Sequence, residues 1–63
     1  MPEQLIQLVA YKDWIIGVTH AGPAHYACWV ITPEAIALND GEIYSCAAEA
    51  MTSGRMLVLM SVD

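Results

Sequence analysis

More apolar side chains are crowded into this 63-residue chain than a domain of its size can hide, and that excess constrains it more than any motif. Hydrophobic residues make up 57% of it and charged residues only 14%, against roughly 25% charged in an ordinary globular domain. A domain of about 60 residues buries only about 60% of the surface that its unfolded chain exposes. Much of the apolar material therefore stays at the surface or meets another chain, and a partner surface is the expectation. The length allows one domain, residues 1–63.

Seven acidic residues stand against only two cations, Lys12 and Arg55, for a net charge of −5. Such a chain repels phosphate and cannot release counterions along a nucleic-acid backbone, so no direct nucleic-acid binding is expected. Glu3, Asp13, Glu34, Asp40, Glu42, Glu49 and Asp63 are scattered and not arrayed as a phosphate ladder, and they read as a solvated rim. No run approaches the roughly 18 apolar residues of a membrane span, and the longest, residues 56–60, has the length of a strand. The N-terminal Met1-Pro2-Glu3-Gln4 lacks the basic start and apolar core of a secretory signal, which points to the cytoplasm. There Cys28 and Cys46 read as thiols. One disulfide between them would suit an oxidising compartment, but two cysteines do not make the framework of a small secreted domain.

Along the chain, residues 5–11 fit a strand, although Pro2-Glu3 and apolar positions 5, 8 and 9 also fit a short helix. Residues 14–20 alternate as a strand, with Trp14, Ile16 and Val18 on one face and Ile15, Gly17 and Thr19 on the other. The breaker Ala21-Gly22-Pro23-Ala24 leads into a second strand at 25–32, and the two form a β-hairpin. After Pro33, the turn signal Asn39-Asp40-Gly41 predicts a second, shorter hairpin; the competing reading is a two-turn helix capped by Thr32. Ser45 is expected to cap a helix over 46–53 that Gly54 ends in a left-handed exit. Residues 55–62, apolar on both faces, read as a central strand. The predicted fold is α+β: a small, mostly antiparallel sheet of four or five strands with one short helix, in the order β-β-β-(β)-α-β.

An eight-residue helix is about 12 Å long and leaves at least one face of such a sheet open. The side chains expected to form an interface are Trp14, Tyr26, Trp29, Met56, Leu57, Leu59 and Met60, because Trp and Tyr anchor interfaces and Met adapts to them.

Three features invite a chemical reading. His20 and His25 flank the predicted hairpin turn and would face each other, but a zinc site needs three or four ligands, and Cys28 has the wrong strand parity to join them. Cys46 at a helix start resembles an activated thiol, yet no base or oxyanion site accompanies it. The aromatic residues could stack on bases, but the cations that such binders carry are missing. No phosphate loop, catalytic carboxylate pair or Ser-His-Asp pattern is present, so no enzyme, cofactor or metal is expected.

The tryptophan-bearing hairpin, a turn, and then Tyr44-Ser45-Cys46-Ala47-Ala48-Glu49-Ala50 opening a helix resembles small sheet-plus-helix domains of the HicB-antitoxin kind, over residues 14–58 and without a diagnostic motif. That resemblance implies a cytoplasmic module that inhibits a partner by occluding it. The sequence reading itself predicts a non-enzymatic interaction module that associates with itself or with a protein partner through an apolar sheet face or edge. Its alternatives are an acidic inhibitor of a nucleic-acid-handling complex and a small metal or thiol enzyme built on His20, His25, Cys28 or Cys46.

Overall fold

A computed structural model describes residues 3–62. The acidic Asp63 and the helix start suggested by Pro2 lie outside the described residues. Four strands, β1 (Gln4–Tyr11), β2 (Trp14–His20), β3 (Tyr26–Ile31) and β4 (Ala37–Asn39), form one antiparallel sheet in the order β1-β2-β3-β4, followed by a helix α1 (Ala47–Ser61). The α+β class and the predicted hairpin of residues 14–20 with 25–32 hold, and β1 pairs with the outer edge of β2. Residues 4–11 are strand, as preferred over the short helix.

Three of the connections are explained by their own local chemistry. Lys12 and Asp13 both adopt positive φ, 53° and 69°, which makes the two-residue primed turn that matches strand twist. At the β3–β4 connection the Thr32 hydroxyl accepts hydrogen bonds from the Glu34 and Ile36 amides at 3.2 and 3.1 Å, and Ala35 turns at φ 68°. Thr32 thus organises a tight turn instead of capping a helix. The second hairpin is only partly formed. After β4, Asn39 Oδ1 accepts from the Gly41 amide at 2.6 Å and Gly41 takes φ 77°. The chain then returns to pair Tyr44 with Tyr26, at the start of β3, and not with β4.

The largest difference from expectation lies in the C-terminal third. The helix does not stop at Gly54 but continues to Ser61, so the predicted last strand is its second half. Met and Leu are strong helix formers, and a run of five apolar residues is equally compatible with a buried strand or a buried helix. Gly54 is not a left-handed exit but a point of close approach. The N-cap is Cys46, without a side-chain cap; Ser45 instead donates its hydroxyl to Glu49 at 2.9 Å.

Fifteen residues make α1 about 22 Å long, enough to run the length of the sheet but, at one helix width, to cover only its two central strands. It packs on β2 and β3, where Trp14, Ile16, Val18, Cys28 and Val30 meet Ala50, Met51 and Val58. Val9 and Tyr11 of β1 border this core. No described helix is long and apolar enough to cross a membrane.

Candidate functional site

The strand register defines what lies on the side of the sheet away from α1. Directly paired residues share a face, so the buried pair Ile16–Val30 places Ile15–Ile31 and Gly17–Trp29 on the opposite one. Extended outward, one row reads Leu8, Gly17, Trp29, Asn39, and the next reads Ala10, Ile15, Ile31, Ala37. A third begins with Leu5, Thr19 and Ala27. Leu5 and Leu8 remain 59% and 58% exposed and Ile15 37%, although their methyls reach over Gly17: a Cβ placed there would lie 3.3 Å from Leu5 Cδ1 and 3.6 Å from Leu8 Cδ1. The described residues of these rows carry no charge, and Glu3 on the rim accepts a hydrogen bond from the Thr19 hydroxyl.

The seven side chains expected to form an interface do not share one surface. Trp14, 9% exposed, is in the core beneath α1, and half-buried Tyr26 stacks on His20 with ring centroids 4.5 Å apart. Trp29 alone lies on the uncovered sheet face. Leu57 packs against the core, whereas Met56, Leu59 and Met60 are exposed along the helix, Met60 by 79%. The expectation that 56–60 crowd the sheet fails because those residues are helical. Leu5, Leu8 and Ile31 take their place; period-two spacing marks Ile31 with Trp29, but it sets Leu5 and Leu8 on opposite faces. A bulge between Leu5 and Gln7 breaks the simple alternation and puts Leu5 on the same face as Leu8.

A second cluster ties the turn after β4 to the helix. Asp40 Oδ2 accepts hydrogen bonds from the Tyr44 hydroxyl, from Ser53 Oγ at 3.0 Å and from the Cys28 thiol at 3.3 Å, while Oδ1 accepts the Glu42 amide at 3.0 Å. The Tyr44 and Ser53 hydroxyl oxygens lie 2.5 Å apart. Burial raises the Asp40 pKa, but the bonds from Tyr44, the Glu42 amide, Cys28 and Ser53 outweigh it and leave the carboxyl below its ordinary value. Burial first, then the hydrogen bond and charge of Asp40, push the Cys28 thiol up to about 11, so it stays protonated and unreactive at neutral pH. The bond to Asp40 raises Tyr44 likewise. Beside this cluster is a shallow depression of about 560 Å³ lined by Tyr44, Ala48, Glu49, Thr52 and Ser53.

The expected histidine pair does not form. His20 is paired with Tyr26, and His25 lies in the loop with Nδ1 2.9 Å from the Pro23 carbonyl oxygen. Among the described residues no three His, Cys, Asp or Glu are grouped to hold a metal ion. Both cysteines are free, Cys28 buried and Cys46 exposed. No family model, curated protein or solved structure matches the chain, and the resemblance to HicB-type domains rests on element order alone.

Proposed function

We propose that this chain is a non-enzymatic protein-interaction module whose binding surface is the sheet face turned away from α1. The observation that carries the reading is the exposure of Leu5, Leu8 and Ile15 around Trp29 and Ile31 on a surface free of charge inside its rim. Each large apolar side chain withdrawn from water contributes roughly 1.5–3 kcal/mol, so three of them supply on the order of 5 kcal/mol toward association, before its entropic cost. Charge depletion with a central tryptophan is also the composition of an interface core. Acidic turns around the face oppose non-specific aggregation, and two cysteines on separate elements suit a reducing, cytoplasmic setting.

Ile15→Lys and Leu8→Lys alter the face without touching the core. Each is expected to keep the circular dichroism spectrum and to abolish both binding of an apolar fluorescent dye and association measured by sedimentation. Dye binding and sedimentation unchanged by both substitutions would overturn the proposal.

A further inference from the structure

We infer that the depression beside the first turns of α1 is a binding site for an arginine side chain carried by a protein partner. The site lies on the helix side of the molecule and is independent of the uncovered sheet face.

The direction of hydrogen bonding is the first argument. Five residues line the depression, Tyr44 from the segment before α1 and Ala48, Glu49, Thr52 and Ser53 from successive turns of the helix. The Tyr44 hydroxyl and Ser53 Oγ carry one proton each, and both find acceptors within the cluster: each bonds to Asp40 Oδ2, and their own oxygens lie 2.5 Å apart. Asp40 is ionised at neutral pH and donates nothing back. Lone pairs are what these two hydroxyls have left for a ligand. Glu49 adds a carboxylate, whose Oε1 accepts from the Ser45 hydroxyl at 2.9 Å and from the Ser45 amide at 3.4 Å. Its Oε2 has no bond among the described residues, and the Thr52 hydroxyl, likewise without one, turns either way.

Such a wall suits a cation that is rich in donors. An anion meets lone pairs and the Glu49 charge. A metal ion lacks ligands, since among the described residues no three His, Cys, Asp or Glu are grouped to hold one. A guanidinium has five N–H donors in a flat fork, enough to reach several separate acceptors, and it stacks on aromatic rings such as that of Tyr44. Its methylene stem fits against the methyls of Ala48 and Thr52. The helix dipole, about half a positive charge at the N-terminus, opposes a cation here, but the full charges of Glu49 in the wall and Asp40 behind it outweigh that.

The wall is also set in advance. Tyr44 exchanges two backbone hydrogen bonds with Tyr26, at 3.0 and 2.7 Å, and buried Ala50 and Met51 hold the same helix turns on the sheet. Little ordering is then left for the ligand to impose. The volume of about 560 Å³ is within the range of ligand sites, roughly 300–1,000 Å³, but the depression is shallow and open. A free small molecule would remain largely in water there, whereas an arginine on a protein surface brings neighbouring contacts with it. A net charge of −5 steers such a basic partner toward this chain.

The test is a nuclear magnetic resonance titration with a short Gly/Ser peptide that carries one arginine. Saturable, salt-sensitive shifts are expected at Tyr44, Ala48 and Thr52, lost when citrulline, of the same shape and without charge, replaces the arginine. Lysine in its place should bind several-fold more weakly. Ala48→Leu fills the depression from an exposed helix position and is expected to abolish binding, and Glu49→Gln to weaken it several-fold, both with an unchanged circular dichroism spectrum. Glu34→Gln removes the same charge at the other end of β3 and should leave the affinity as it was. Equal weakening by Glu34→Gln and Glu49→Gln would reduce the effect to net charge and overturn the site. Absence of saturable shifts, equal binding of the citrulline peptide, or binding retained by Ala48→Leu would also overturn it. Equal affinity for lysine would overturn the assignment to arginine, and free arginine bound as tightly as the peptide would overturn the protein partner as its source.

Discussion

Gly54, in the middle of α1, lies so close to Ile16 on β2 that a Cβ at position 54 would sit 2.5 Å from Ile16 Cγ2. Both residues are buried, Ile16 completely. The missing side chain lets the helix settle onto the sheet, and the closeness of that contact fixes how α1 crosses β2 and β3. A helix-interior glycine ordinarily costs about 1 kcal/mol relative to alanine. Here the close approach outweighs that cost.

Gly54→Ala is therefore expected to destabilise the fold by about 1–3 kcal/mol, opposite in sign to the propensity gain, because no flexible chain end can move aside. Ile16→Ala alone creates a cavity and is expected to cost about 2–5 kcal/mol. The double variant should cost clearly less than the sum, since Ile16→Ala removes the clashing methyl. Urea denaturation of the four proteins measures the coupling; stabilisation by Gly54→Ala alone would refute the close contact.

The same contact explains what was legible in the sequence. β2 and β3 were readable because β-branched and aromatic residues alternate there and both faces are constrained by neighbours. The sequence ends the helix at Gly54 because glycine signals termination when only local conformation is considered, whereas its reason for being here lies on another strand. Residues 56–60 carry no period to decide the matter, being apolar on every side of the helix, with Val58 inward and Met56 and Met60 outward. The mismatch between sheet and lid predicts an uncovered face, but its membership depends on register and on the bulge near Leu5, neither of which is encoded in residue type. The Asp40 cluster joins residues 28, 40, 44 and 53 across three separate segments, and only the fold brings them together.

Asp40 makes stability depend on acid. Its carboxyl is held below the ordinary value of about 4 in the folded chain, so its contribution is complete above that value and is lost as pH falls through the lower, folded one. Asp40→Asn should be less stable than the parent at pH 7, and the difference should shrink as the pH is lowered below about 4. Denaturation midpoints of both proteins across pH 2–7 check this. A constant difference would show that the charge of Asp40 is immaterial.

The two thiols should react at very different rates. Cys46 is exposed, whereas Cys28 is buried, bonded to Asp40 and raised to about 11. At pH 7.5 a thiol reagent is expected to modify one cysteine per native chain, mapped to Cys46 by mass spectrometry, and two in denaturant. The sign at the alkaline end follows from the same shift: the Cys28 contribution is present below about pH 9 and is lost as the pH rises toward 11. Rapid native labelling of Cys28 would contradict the hydrogen-bonded thiol.

The β1–β2 turn stores strain that can be removed without touching either face of the sheet. Lys12 and Asp13 both occupy the left-handed region, at φ 53° and 69°, a conformation that costs an L-residue such as lysine roughly 1–2 kcal/mol. The backbone there already has the geometry that Asn-Gly prefers in a primed turn. Lys12→Asn with Asp13→Gly is therefore expected to raise stability by about 1 kcal/mol, the relief at both positions exceeding the entropy that glycine restores to the unfolded chain. Thermal denaturation checks the gain, with a rise of several degrees expected for a domain this small. Because both residues are exposed and lie beyond the strand ends, the association measured by sedimentation should be unchanged. A loss of stability would mean that the turn does not adopt this conformation, and with it the pairing of Tyr11 with Trp14 that sets the register of the whole uncovered face.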